Sequence, residues 1–310
     1  MSAAGIRALA DSALGWVSEN RDDFRLGEDA LAPEADVNRS WKPLGELAQV
    51  CVTVQARTAP GTALHERAGR LLAFAWEQTR EGALLLDLQR LEPAATYPLE
   101  IYAAFASAGL RHPGYDSYAA LLAGTRSWRL TEQQPNRRLG LLNSARRCGL
   151  PVPDDAGAVL RRTWLGGLPE PWTFERAAGY TLTHVVFHLT DWGHDIGAVP
   201  DDVVAYLDDW LPPWLDTCLE DEQWDLSCEL LAVAAALPSV PDPGMLSGAF
   251  AELSGVQDAS GAIPEVGPGR TGRPVRRDFA GTYHSTLMAV FASALALARS
   301  GSPERPEVPS

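Results

Sequence analysis

Lysine is all but missing from this chain of 310 residues: Lys42 stands alone, and every other basic side chain is an arginine. The basic residues together number 26 against 40 acidic ones, a formal charge of −14. So acidic a chain lacks the electrostatic footprint of a nucleic-acid binder. It also lacks a basic amphipathic stretch suited to an anionic membrane surface. Long apolar runs are absent too. Residues 288–298 form the longest, broken by Ser293, and fall short of the roughly 18–20 that a membrane-spanning helix needs. Near the start, Asp11 follows Arg7 with no clean apolar stretch of the secretory kind, so a cytoplasmic setting is expected. Cysteine is sparse as well. Cys51, Cys148, Cys218 and Cys228 are scattered without a CxxC pair, which argues against a zinc ribbon and suits reduced thiols.

Strand-like alternation is nearly absent, and helical periodicity takes its place. Segments 44–55, 99–110, 180–192, 224–237 and 281–298 are apolar almost all round. Segments 63–81 and 201–219 are instead charged on one side. A helix apolar on every side is a buried helix, and an amphipathic one faces water. Their alternation every 40–60 residues suits repeated helical hairpins. Closing the hairpins into a ring gives an all-α α/α toroid, with inner helices around a funnel; an irregular bundle is the alternative. One domain over residues 1–300 is expected, followed by a disordered tail at 301–310, rich in Pro, Ser and Glu.

The most informative stretch is YTLTHVVFHLTDWG, residues 180–193. At helical period Thr181, His184, His188 and Asp191 fall on one face of an otherwise apolar helix. Buried polar groups must find partners, so these either satisfy one another or line a wet cavity. His184 and His188, at i,i+4, suit one metal ion, an acid/base pair or satisfied core histidines equally well, since the Glu of HExxH is missing. Asp191 would hold one of them in its tautomer.

Three late helices begin alike, with Thr183-His184, Trp224-Asp225 and Tyr283-His284. In a toroid these starts would converge on one mouth of the funnel, with Cys228 a turn below Asp225. Bland readings stand beside this one. Cys228 suits a small core residue and Asp225 a favourable charge at a helix start. The GPGRTG stretch, residues 267–272, spells GxGxxG but holds Pro268, so it reads as a loop. The acidic run at 201–210 lacks DDxxD spacing and reads as a solvated face. Ten tryptophans suit inter-helix packing.

Residues 257–293, with QDASGAIPE and RDFAGTYHSTLMAVFAS, resemble the last repeat of protein prenyltransferase β-subunits. There a Tyr-His-Thr helix supplies a zinc-binding histidine, a position that His284 matches. The resemblance implies Asp and Cys as partner ligands; here Asp225 and Cys228 stand three apart rather than two. The motif at 180–193, followed by a Trp/Asp helix, is similar to stand-alone cyclases of class V lanthipeptides. That resemblance implies a natural-product tailoring enzyme closing thioether rings, by adding a peptide cysteine to a dehydroamino acid. Its substrate would be a modified peptide or another biosynthetic intermediate, with other biosynthetic enzymes as possible partners and neither nucleic acid nor membrane among them. His184, His188 and His284 lead as acid/base candidates, supported by Asp191, Asp225, Tyr283 and Cys228. No cofactor is expected. If zinc is held, its ligands would come from His284, Asp225, Cys228 or His184. Rival readings are a glycan- or isoprenoid-active toroid enzyme using Asp191 and Asp225, and a non-catalytic carrier of an intermediate. Leader recognition would rest on grooves or on the arginine pairs Arg137-Arg138 and Arg146-Arg147.

Overall fold

A computed structural model describes residues 1–269, 272 and 274–301. The tail expected beyond Gly301 lies outside these residues, as do Arg270 and Thr271 of the glycine-containing loop. Every regular element among the described residues is helical. In order they are α1 (Ala3–Glu19), α2 (Trp41–Arg57), α3 (Ala63–Gln78), α4 (Ala83–Leu91), α5 (Tyr97–Ser107), α6 (Pro113–Ala123) and α7 (Arg126–Arg129). Then follow α8 (Pro135–Cys148), α9 (Ala156–Leu160), α10 (Arg176–Leu189), α11 (Asp201–Glu220), α12 (Trp224–Ala236), α13 (Pro243–Val256) and α14 (Tyr283–Ser300). None is long and apolar enough to cross a membrane.

The five helices apolar all round pack on one another in series, with α8 completing the set. α2 packs on α5, α5 on α8, α8 on α10, α10 on α12, α12 on α14, and α14 on α2. Others lie behind them: α1 against α14 and α3, α3 against α2, α4 against α5 and α6, and α11 against α12 and α13. Only Ala235 of α12 escapes full burial, as expected of a helix with no polar face. α11 is the opposite case. Asp201, Asp202, Asp209 and Asp216 are exposed, while Val203, Leu207, Leu211 and Leu215 turn inward.

Two elements depart from the sequence reading. α4 is an additional helix, separated from α3 by a turn in which Gly82 takes φ +88°, a conformation open to glycine at little cost. α8 belongs with the buried helices although four arginines disguise it. Arg138 is 7% exposed and donates to Asp154 and to the Thr131 and Arg129 carbonyls. Arg147 is buried as well, so neither arginine pair forms the surface cluster expected for leader docking.

Candidate active site

Four helices contribute to one buried ionic cluster. Asp225 and Glu229 are one turn apart on α12, and His284 sits in the first turn of α14. Glu46 comes from α2, while Tyr180, Thr183 and His184 come from α10. The segment before α14 holds the two helix starts side by side. Asp225 donates its backbone N–H to the Glu265 carbonyl at 3.0 Å, and Glu265 donates its own to the Gly281 carbonyl at 2.9 Å. Ser285 Oγ donates to the Ile263 carbonyl at 2.6 Å.

His284 is the hub. Its Nδ1 lies 3.1 Å from Glu46 Oε2 and its Nε2 lies 3.1 Å from Glu229 Oε1. Asp225 Oδ1 is 3.6 Å from the same Nε2, too far for a hydrogen bond. Each carboxylate on α12 has its far oxygen fixed by a hydroxyl donor. Tyr180 donates to Asp225 Oδ2 at 2.7 Å, and Thr183 donates to Glu229 Oε2. Tyr283 and Lys42 attend Glu46. Asp225 Oδ1 is left without a partner although its side chain is only 6% exposed. An unmet buried acceptor of this kind costs about 1–3 kcal/mol.

The electrostatics follow from crowding three carboxylates around one imidazole. Burial opposes charge on His284, but Asp225, Glu46 and Glu229 outweigh it and hold the ring cationic well above the usual histidine range. Burial also opposes ionisation of Glu46 and Glu229, and their bonds to His284 more than offset it. Asp225 receives no such bond. Burial pushes its carboxyl up to about 6; His284 opposes the rise and Glu229 adds to it.

The cluster backs onto a cavity of about 290 Å³. Glu46 and His184 belong to both, since His184 Nε2 stands 4.0 Å from Glu229 Oε1 while 42% of its side chain stays exposed. His188, one turn on, lines the same cavity. Gly140 lets its ring approach, for a Cβ there would fall 3.0 Å from His188 Nε2. Burial, with the nearby charges of His184, Arg137 and Arg147, holds His188 neutral far below its usual range. Val37, Tyr97, Ile101 and Trp192 supply apolar wall.

The family described as a domain of unknown function, DUF6895, matches over residues 10–294. The chain belongs to this family. Its match takes in every residue of the cluster. No curated protein and no solved structure matches the chain.

The structure brings His184, Asp225, Tyr283 and His284 together, although only Asp225, Tyr283 and His284 stand at helix starts. α10 begins at Arg176, so Thr183-His184 lies mid-helix. Two other candidates are parted from the group. α10 ends at Leu189, and Asp191 and Trp192 then take φ +50° and +57°. That turn removes Asp191 from the polar stripe, so it holds neither histidine. It accepts from Asn143 Nδ2 at 2.9 Å and faces Arg147 Nε at 3.5 Å, on a second cavity at the far end of α10. Asp191 and Asp225 therefore do not face each other. Cys228 is fully buried, and burial together with Asp225 and Glu229 raises its thiol well above the usual range. Among the described residues, the ligand atoms that converge are those of Asp225, Glu229 and His284, all within 4.8 Å of one another. Glu229 thus stands in the place expected of Cys228. The sequence reading missed it along with Glu46, whose only signal was a lone carboxylate in an otherwise apolar helix.

Proposed function

We propose that this protein is an α/α-toroid enzyme that closes thioether rings in a modified peptide. Support for the ring comes from the order of packing, in which each of six buried helices meets the next and α14 returns to α2. Support for chemistry comes above all from His184, a half-exposed imidazole on a cavity wall with the buried Glu229 carboxylate 4.0 Å behind it. At that distance Glu229 makes no hydrogen bond to the ring, but its charge favours the imidazolium that a general base becomes. All four cysteines are buried, so the attacking thiol belongs to the substrate.

His184 takes the proton from a peptide cysteine, and the thiolate adds to the β-carbon of a dehydroamino acid. The carbanion formed at the α-carbon then recovers a proton from the His184 imidazolium. One C–S bond forms, the C=C bond becomes single, and no mass is lost. His284 is bonded to both Glu229 and Glu46, and so holds in place the carboxylate that faces His184. The apolar wall around Tyr97, Ile101 and Trp192 keeps water from the thiolate.

The test uses a synthetic peptide carrying one dehydroalanine and one cysteine, with free thiol counted by alkylation and mass spectrometry. Ring closure at unchanged mass, faster with protein than without, is the expected result. A thiol count that the protein leaves unaltered would overturn the reading.

A further inference from the structure

We infer that Asp225, Glu229 and His284 form a binding site for a divalent first-row cation. The inference stands independently of the cyclase reading.

The arrangement around each group has the same sense. His284 turns Nδ1 to Glu46, Asp225 turns Oδ2 to Tyr180, and Glu229 turns Oε2 to Thr183. The far atom of every group is therefore anchored by a partner outside the trio. On the inner side Nε2 stands 3.1 Å from Oε1 and 3.6 Å from Oδ1, and the three residues offer ligand atoms all within 4.8 Å of one another. Anchoring of the outer atoms with convergence of the inner ones is how proteins orient metal ligands, and a carboxylate on the non-ligating nitrogen of a histidine is the commonest such anchor.

A second observation points the same way. Asp225 Oδ1 faces this convergence point, has no hydrogen-bond partner and belongs to a side chain 94% buried, being 6% exposed. The single Nε2 proton can serve only Glu229, so the protein alone leaves this oxygen unmet. A cation serves all three atoms at once. It also replaces the charge that the histidine proton supplies, since the neutral imidazole is the ligand form.

The donor set of two oxygens and one imidazole nitrogen fits Mn²⁺, Fe²⁺, Co²⁺ or Zn²⁺. Without a thiolate or thioether it disfavours copper(I) and iron–sulfur clusters. His184, on the cavity side of Glu229, borders the direction from which a substrate would meet the ion. A bound dication lowers the pKa of a water or thiol that reaches it.

Calorimetric titration of the chelator-stripped full chain with Zn²⁺, and separately with Mn²⁺, tests the site. One equivalent of at least one ion should bind to the wild type. Asp225→Asn and Glu229→Gln should each weaken that binding at least 100-fold, and Glu46→Gln by about 10–100-fold through the imidazole it anchors. Asp209→Asn, at an exposed position on α11, should bind as the wild type does. Circular dichroism establishes which variants are folded, and either α12 variant suffices if the other is not. Absence of stoichiometric binding of both ions overturns the inference. So does binding that a folded α12 variant leaves intact.

Discussion

The two ends of α10 each hold buried charge, and they hold it differently. At its far end the Arg147 guanidinium donates to Gln49 Oε1 and Ser107 Oγ, both at 2.6 Å, and faces one carboxylate, Asp191. Near it Arg57 donates to the Gly193 carbonyl and leaves its own Nε unmet, while Arg147 itself meets one anion and two neutral acceptors. This is a strut tying α2, α5 and α8 together between the two cavities, both of which Arg147 lines. At the near end one imidazolium meets three carboxylates, and a buried oxygen is left over. Excess interior charge destabilises a fold, and pKa values displaced this far cluster at functional sites. On the proposed function, the contrast separates a structural use of buried charge from a chemical one.

The largest expected effect breaks the near end. His284→Ala leaves three carboxylates facing one another and should cost about 3–5 kcal/mol in urea unfolding. Asp191→Asn, which keeps the shape of the far-end partner but removes its charge, should cost about 1–2 kcal/mol in the same experiment. Equal losses would erase the distinction between the two ends.

A smaller effect concerns His188. Its folded-state pKa is depressed, so the folded chain binds fewer protons than the unfolded one below the ordinary histidine value of about 6.5. Stability should therefore fall as pH drops from about 6.5 to 5, by at most about 1.4 kcal/mol per pH unit from this group. Thermal melts of His188→Gln across that range should lack this share of the slope; an unchanged slope would place the ring in a solvated setting. Smallest of all, Cys228→Ala should cost about 1 kcal/mol of packing and leave the rate of ring closure unchanged. A lost rate would return Cys228 to the site.

The helices were legible because burial leaves its mark on periodicity. α1 runs over Ala3–Glu19, a continuous amphipathic pattern, and α12 and α14 are apolar all round. α8 was obscured because Arg138 and Arg147 are spent inside the fold, which composition cannot reveal. The near-end cluster was half legible. The Tyr283-His284 and Trp224-Asp225 helix starts marked two members. His184 was marked by the polar stripe of its segment and not by a helix start, since α10 begins at Arg176. The choice between Cys228 and Glu229, at i+3 and i+4 from Asp225, turns on a rotation that spacing alone does not fix. Glu46 reaches His284 across 238 residues of chain, through the contact of α14 with α2. Asp191 was misplaced because a helical wheel assumes the helix continues, and this one stops at Leu189.

The most direct test of the central claim, that the near end of α10 is a reaction centre, is the rate of thiol loss from the dehydroalanine–cysteine peptide. It should be measured with wild type, His184→Ala and Asp191→Asn, each shown to be folded. A loss of about 10²–10⁴-fold for His184→Ala, with Asp191→Asn retaining most of the wild-type rate, is the predicted result. Wild-type closure no faster than the uncatalysed reaction, or a His184→Ala rate equal to wild type, would contradict it.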